Sequence, residues 1–157
     1  MAELDSYSIA QTLALNALAP RARSRAELSV HLIKRGVSQA DADAALENLE
    51  LQGLVNDLEF AQAWSESRQR QKKLSKRVIA SELRSKGVAE EIIDETMAEI
   101  NDDNEYQMAL DLATRKFRSC SHLDSDVIYR RIHSLLSRKG FDHGVASRIL
   151  RELLEIS

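Results

Sequence analysis

Cysteine is nearly absent from this sequence, with Cys120 the only one among 157 residues. One cysteine permits no intrachain disulfide and no cysteine-based metal site, and both absences are typical of the cytoplasm. Proline occurs once and glycine five times, while 43% of the residues are apolar and 30% are charged. This composition is typical of a soluble intracellular domain, so we expect a cytoplasmic protein.

Aromatic residues are also scarce, at 4% of the chain. The chain therefore has few side chains on which the bases of a single-stranded nucleic acid could stack. The uncharged stretch 6–20 is interrupted by serine, glutamine, threonine and asparagine, which argues against a membrane span. The N-terminus lacks the basic region of a signal peptide. We therefore expect no membrane partner.

The motifs of common enzyme classes are missing. There is no glycine-rich phosphate loop, no Gly-x-Ser-x-Gly elbow and no His-Glu-x-x-His motif. The histidines fall at unrelated positions, which favours structural roles over catalysis or metal binding: His31, His122, His133 and His143. A catalytic thiol at Cys120 has no local feature to support it. We predict no catalytic residue, no cofactor and no metal ligand.

What the sequence does contain is an internal repeat. The segments AELSVHLIKRGV, RVIASELRSKGV and RRIHSLLSRKGF each close with a basic residue, a glycine and an apolar residue. Their glycines, Gly36, Gly87 and Gly140, lie 51 and 53 residues apart, so the chain divides into three similar parts. A cation before glycine also marks a helix C-terminus, where glycine adopts the left-handed cap conformation. Each segment is therefore predicted to be a helix.

Apolar spacing predicts three helices per repeat. Before each glycine, residues four apart share one helical face: Leu28 and Leu32, Ile79 and Leu83, Ile132 and Leu136. A second stripe follows each glycine at Leu46 and Leu49, Met97 and Ile100, Leu150 and Leu153. A further helix precedes each pair, with stripes at Ile9, Leu13 and Leu18, at Phe60 and Trp64, and at Met108, Leu112 and Phe117. Phe60 and Trp64 are expected to pack in the core. The expected N-caps are Ser24 (a capping box with Glu27), Ser38, Asn56 and Asp142.

We predict an all-α protein in which three tandem three-helix bundle repeats form an elongated, curved array. The predicted repeats are residues 1–53, 54–102 and 103–157. Because a repeat of about 50 residues is marginal alone, contacts between neighbouring repeats should supply part of the stability.

Charge is segregated along the middle repeat, although the net charge is only −3. The central basic segment consists of Arg68, Arg70, Lys72, Lys73, Lys76, Arg77, Arg84 and Lys86, against the single acid Glu82. Further cations follow in the last repeat: Arg115, Lys116, Arg118, Arg130, Arg131, Arg138 and Lys139. These cations form either a solvated face or a patch for phosphates or for an acidic protein groove.

An acidic block follows the central basic segment directly. It consists of Glu90, Glu91, Asp94, Glu95, Glu99, Asp102, Asp103 and Glu105. We interpret it as a solvated helix face, with an electrostatic role in partner choice as the alternative.

Several short motifs occur in a fixed order along the chain. The middle repeat contains LQGLVND at 51–57, Phe60-Ala61, Trp64, Arg68, Glu82-Leu83 and Lys86-Gly87-Val88, flanked by Arg25-Ala26-Glu27-Leu28 and Ala113-Thr114-Arg115-Lys116-Phe117. Together they resemble the signature of the RecX family of bacterial recombinase regulators, over nearly the whole chain. The chain departs from the family at Lys72-Lys73-Leu74, where many members have a glycine.

The resemblance implies a non-enzymatic negative regulator of the RecA recombinase. Family members lie in the groove of the RecA filament on single-stranded DNA and inhibit its ATPase, strand exchange and co-protease activities, in recombination, repair and the SOS response. We expect a monomer that binds the filament, with at most a weak, salt-sensitive contact to single-stranded DNA. The predicted partner-binding residues are Arg68, Arg70, Lys72, Lys73, Lys76, Arg77, Lys86, Arg115, Lys116, Arg130 and Arg131. Only Arg68 and Lys86 among them match family positions.

Two other function classes remain open at this point. A DNA-binding protein with helix-turn-helix-like modules is the alternative, because three-helix bundles host such readers. The helices after each glycine begin with Gln39, Glu90 or His143 rather than with a cluster of base-reading side chains, which counts against it. An enzyme is the third class and has the least support.

Overall fold

Nine α-helices make up most of the computed structural model, which describes the backbone of residues 5–156 and the side chains of residues 5–155. They are α1 (Ser6–Leu18), α2 (Arg25–Lys34), α3 (Gln39–Leu51), α4 (Asp57–Lys72), α5 (Lys76–Ser85), α6 (Glu90–Ala98), α7 (Asp102–Cys120), α8 (Ser125–Arg138) and α9 (His143–Ile156). No strand occurs in the described part of the chain. The predicted all-α class and the three helices per repeat are confirmed; the outermost predicted positions, 1–4 and 157, lie outside the described residues.

Side-chain caps start several helices at the predicted residues. Ser24 and Glu27 form the capping box of α2, since each side chain accepts a hydrogen bond from the other residue's backbone N–H. Ser38, Asn56 and Asp142 cap α3, α4 and α9, each accepting from the N–H three residues further on. Because an N-cap contributes about 1 kcal/mol, the local sequence determines where these helices begin.

The three repeat glycines end α2, α5 and α8 as predicted. Gly36, Gly87 and Gly140 have φ values of +90°, +77° and +93°, in the left-handed region that other residues avoid. The apolar residue after each glycine donates its N–H to the carbonyl of the leucine five residues back: Val37 to Leu32, Val88 to Leu83 and Phe141 to Leu136. The predicted pairs on these three helices are all fully buried: Leu28 and Leu32, Ile79 and Leu83, Ile132 and Leu136.

The first helix of each outer repeat buries alanine at the centre of its contact, and the predicted larger residues pack against that core from its margin, except Ile9, which is exposed. In α1 the buried side chains are Ala10, Ala14 and Ala17. The predicted Ile9 is 42% exposed, and Leu13 and Leu18 are half-buried. In α7 the buried alanines are Ala109 and Ala113, while the predicted Met108, Leu112 and Phe117 are half-buried. Small side chains let helices approach closely, so larger apolar side chains flank the contact instead of filling it.

The stripe predicted after each glycine is confirmed in α3, where Leu46 and Leu49 are buried. In α9, Leu150 is buried and Leu153 is half-buried. The stripe predicted for α6 is wrong: Met97 and Ile100 are half-buried, and the buried residues are Ile93 and Thr96. The reason is length, because α6 ends at Ala98 and Ile100 lies beyond the helix.

By its contacts the chain divides into two compact units. The first contains Met1–Ala63 and Glu82–Asp94, and the second contains Trp64–Ser81 and Glu95–Ser157. Each unit therefore joins an outer repeat to part of the middle repeat.

Inside the first compact unit, the start of α2 meets the end of α5. The Ser24 hydroxyl donates to the Lys86 carbonyl at 2.6 Å. A Cβ atom at Gly87 would lie less than 3.0 Å from Ala26 Cβ, so the turn has room only for glycine. We call this contact between a cap serine and a Lys-Gly turn the serine–glycine joint.

The same joint recurs inside the second compact unit. The Ser75 hydroxyl donates to the Gly140 carbonyl at 2.9 Å, and the Ser75 N–H donates to the Lys139 carbonyl at 2.9 Å. A Cβ atom at Gly140 would again lie too close to a neighbour, Val78 Cγ2. At Gly36 an added Cβ would meet nothing within 4 Å. The repeated glycine therefore has a packing role in the second and third repeats and only a cap role in the first.

Candidate interaction surface

Several cations of the central basic segment are held by partners inside their own compact unit. In the second unit, Lys76 forms an ion pair with Asp102, and its backbone N–H donates to Glu105 Oε1 at 2.6 Å. Arg77 donates to the Gly140 carbonyl at 2.9 Å. Lys76 therefore holds the start of α5 against α7, and Arg77 holds it against the Gly140 turn of the second serine–glycine joint.

Lys86 is likewise held by a partner within its own unit, here the first unit. Its ammonium group lies 3.4 Å from Glu27 Oε2, and both side chains are about four-fifths buried. Burial raises the pKa of Glu27, but the Ser24 N–H and the charges of Lys86 and Arg21 outweigh burial and leave that pKa below its ordinary value. Glu27 is therefore ionised at neutral pH, and Lys86 has a structural partner.

Acids that follow the basic segment in sequence pair with it in space. Arg84 and Glu90 are joined by two hydrogen bonds, which raise the pKa of Arg84 and lower that of Glu90. The Lys76–Asp102 pair is a second example. In each of these two pairs, an acid of the acidic block therefore neutralises a cation of the central basic segment.

The end of α4 carries further predicted cations. The Arg68 guanidinium lies over the Trp64 ring at 5.3 Å from its centroid, a cation–π geometry, and Trp64 is half-buried where a core position was predicted. Phe60 is buried as predicted. Arg70 lies 3.7 Å from Glu66 in an exposed i, i+4 pair, which contributes little to stability.

A shallow groove in the second unit brings Arg70, Lys73 and Arg115 together. Glu66 and Asp111 line the same groove, so its charge is mixed. Lys72, the last residue of α4, is exposed.

A second groove, between α7 and α8, is lined only by cations and uncharged residues. We call it the basic groove, and its lining is Lys116, Val127, Arg130, Arg131, Ser134 and Arg138. The three arginines are exposed, and none of the four cations forms an ion pair with any residue in the described part of the chain. The basic groove is therefore the place in this unit where a phosphate or carboxylate would meet the least competition from the protein's own acids.

The periodicity of α8 explains how the groove forms. Ile128, Ile132 and Leu136 recur every four residues and are buried, which turns the face carrying Arg130 and Arg138 outward. Sequence reasoning named Lys116, Arg130 and Arg131 as partner-binding residues and Arg138 only as an additional cation. It could not place them in one groove, because Lys116 comes from a different helix.

Cys120, the candidate thiol from the sequence, has a structural role. Cys120 is 1% exposed, and its thiol donates to the Lys116 carbonyl at 3.0 Å, so it is not accessible to a substrate.

Among residues 5–155, no three His, Cys, Asp or Glu side chains converge on one point suitable for a metal ion. Over the same part of the chain, no helix has the length and apolar character to cross a membrane.

Comparison with known proteins gives a consistent result over the whole chain. Models of the first, second and third three-helix domains of RecX match residues 10–49, 56–97 and 102–150. The sequence is 38% identical to the regulatory protein RecX of Streptomyces coelicolor, over 96% of this chain and 80% of that protein. It is 36% identical to the regulatory protein RecX of Mycobacterium avium, over 90% and 82% respectively.

The fold is also similar to solved structures. The crystal structure of RecX from Lactobacillus salivarius superposes with a TM-score of 0.85 at 23% identity, covering 95% of this chain and 97% of that one. A second crystal structure of a regulatory protein RecX gives a TM-score of 0.78 at 21% identity, covering 94% and 78%. At these identities the likeness concerns the fold.

Proposed function

The chain belongs to the RecX family of regulatory proteins, and we propose that it is a negative regulator of the RecA recombinase. It binds the RecA filament on single-stranded DNA as a monomer and inhibits the ATPase, strand exchange and co-protease activities of the filament. It has no enzymatic activity of its own and acts in the cytoplasm, in recombination, DNA repair and the SOS response. The observation that carries the proposal is the presence of all three RecX domains, in order, along one chain.

The basic groove supplies the contact with the DNA-bearing filament. Its four cations have no ion pairs among the described residues, so binding a phosphate breaks no existing interaction. Arginine suits this role because its planar guanidinium can hold phosphate oxygens with two parallel hydrogen bonds. Lys76, Arg77 and Lys86 contribute less to the partner contact than the sequence suggested, since each already has an acceptor within its unit.

Few phosphates are contacted, so the contact with DNA is weak by itself and sensitive to salt. For a single strand, the logarithm of affinity falls by about 0.7 per neutralised phosphate for each log unit of salt. A protein surface of the filament supplies the remaining affinity. Once the first contact has formed, the second contact is made at a high effective concentration, so two weak contacts add up to firm binding.

Charge reversal in the basic groove tests this assignment. The variant R130E/R131E should move half-maximal inhibition of the RecA ATPase to at least about tenfold higher concentration, a loss of roughly 1.4 kcal/mol. The matched control is K34E/R35E, which makes the same charge change at exposed positions next to the Gly36 turn and should shift the midpoint by less than about twofold.

A third variant, K72E/K73E, separates the groove from the central basic segment. If this variant alone abolishes inhibition while R130E/R131E behaves like the wild-type chain, the groove assignment is wrong and the central segment is the contact. A sequence-specific footprint on duplex DNA in the absence of the recombinase would instead favour a helix-turn-helix-like DNA-binding protein.

A further inference from the structure

Two histidines that are ten residues apart in sequence meet across the Lys139-Gly140 turn. His133 lies in the second half of α8, and His143 is the first residue of α9. Their facing ring nitrogens, His133 Nε2 and His143 Nδ1, are 3.1 Å apart, and the ring centroids are 5.3 Å apart with the planes tilted by 60°. Both rings reach the surface, where His143 is exposed and His133 is half-buried.

We propose that His133 and His143 together bind one divalent transition-metal ion. With metal–nitrogen bonds of about 2.0–2.1 Å, a nitrogen separation of 3.1 Å corresponds to a nitrogen–metal–nitrogen angle of about 95–102°. This angle lies between those of square-planar and tetrahedral ions, so the two nitrogens can bind neighbouring positions of one ion. The ion replaces the hydrogen bond between the two rings: the proton of His133 moves from Nε2 to Nδ1, and both facing nitrogens then offer a lone pair. If both lone pairs point at the ion, the ring centroids lie about 4.8 Å apart. The present separation is 5.3 Å, so the rings have to move only slightly, and His143 is exposed.

The surroundings of the pair resemble the second shell of a metal site. His143 Nε2 lies 3.2 Å from Ser147 Oγ on the next turn of α9, so the ring can donate to the hydroxyl and keep Nδ1 free as a ligand. Tyr129, one turn earlier on α8, stacks on His133 with centroids 5.9 Å apart and planes 10° from parallel. Each imidazole is therefore oriented by a neighbour on its own helix.

Two imidazoles make a labile site, with the remaining positions taken by water. No third histidine, cysteine or carboxylate joins the pair within the described residues. Imidazole suits copper, nickel and zinc, and the general order of affinity predicts Cu²⁺ first, with Ni²⁺ and Zn²⁺ weaker. Because the ligands come from the end of α8 and the start of α9, the bound ion fastens these helices across the turn that forms the second serine–glycine joint.

Isothermal titration of the full chain without a histidine tag tests the site, with Cu²⁺, Ni²⁺ and Zn²⁺ alone as probes. We expect one ion per chain, and we expect His143→Ala to weaken binding by at least about tenfold, since the loss of even an outer-shell partner costs this much. His133→Ala should have a similar effect, and Ser147→Ala a smaller one. His122→Ala is the matched control, because it removes an exposed histidine of the same compact unit that is not among the contacts of the pair, and it should leave affinity unchanged.

Thermal unfolding supplies an independent readout. Zn²⁺ should raise the melting temperature of the wild-type chain and of His122→Ala but not that of H133A/H143A, whose helical circular dichroism should match the wild type. Equal affinity and stoichiometry in H133A/H143A and the wild-type chain would overturn the proposal, and so would the absence of binding to the wild-type chain.

Discussion

Lys73 has the backbone conformation that a glycine would usually provide. Its φ of 55° lies in the left-handed region, and its N–H donates to the Gln69 carbonyl at the end of α4. A non-glycine residue in this conformation costs on the order of 1 kcal/mol, so Lys73 lowers the stability of the folded chain.

Replacing Lys73 with glycine should raise the free energy of unfolding by about 1 kcal/mol, because the strain disappears. Lys72→Gly is the control: it removes the same charge from the last helical residue of α4 and should lower stability by up to about 1 kcal/mol. Urea unfolding followed by circular dichroism measures both values. A Lys73→Gly variant less stable than the wild-type chain would contradict the interpretation.

Ser65 is a polar residue at a position that is alanine in both other repeats. Pairs of small residues four apart recur on the first helices, as Ala10 and Ala14, Ala61 and Ser65, and Ala109 and Ala113, and all six are buried. The Ser65 hydroxyl has no hydrogen-bond partner among the described residues. Such a buried group loses its bonds to water without replacement.

We expect Ser65→Ala to stabilise the protein by about 1 kcal/mol, from the removed desolvation cost and the better helix propensity of alanine. The reverse change at the equivalent position, Ala113→Ser, should destabilise by a similar amount. Differential scanning calorimetry should show melting temperatures moving in opposite directions by about 2–4 °C. A drop in the melting temperature of Ser65→Ala would show that the hydroxyl has a partner after all.

At the scale of helices, local signals predicted most of the secondary structure and little of the packing. The capping box at Ser24 and the left-handed glycines depend on a few neighbouring residues, so the sequence was sufficient for them. The alanine face of α1 was missed because apolar size is a poor guide where helices pack at short distance. The serine–glycine joints were missed because Ser24 and Lys86 are 62 residues apart, and no local pattern connects them.

The first serine–glycine joint can be tested by a double-mutant cycle. Gly87→Ala adds a clash with Ala26 Cβ to the strain of a positive φ, so it should cost about 1–3 kcal/mol more than Gly36→Ala, where no neighbour lies within 4 Å. Combining Gly87→Ala with Ala26→Gly removes the clash and should recover at least about 1 kcal/mol relative to the sum of the single changes. Strictly additive unfolding free energies would mean that the joint is not under steric constraint.

At the scale of the whole molecule, family membership could be predicted from the order and spacing of its motifs. The location of the free positive charge could not, because ion pairs such as Lys76–Asp102 form only in the folded chain. Folding leaves the basic groove as a cluster of cations without ion pairs among residues 5–155, on a protein whose net charge is −3. This combination of an acidic net charge and a local basic groove is what the proposed function requires, because a partner that joins DNA phosphates to a protein surface suits it better than bare DNA.

The most direct test of this account is the ATPase rate of RecA filaments on single-stranded DNA while the protein is titrated in, at about 50 and about 200 mM salt. We predict inhibition well below one chain per recombinase subunit, with a midpoint that rises with salt. Such a result means that one bound chain affects many subunits. An undiminished ATPase rate at an excess of folded protein, at both salt concentrations, would contradict the proposed function.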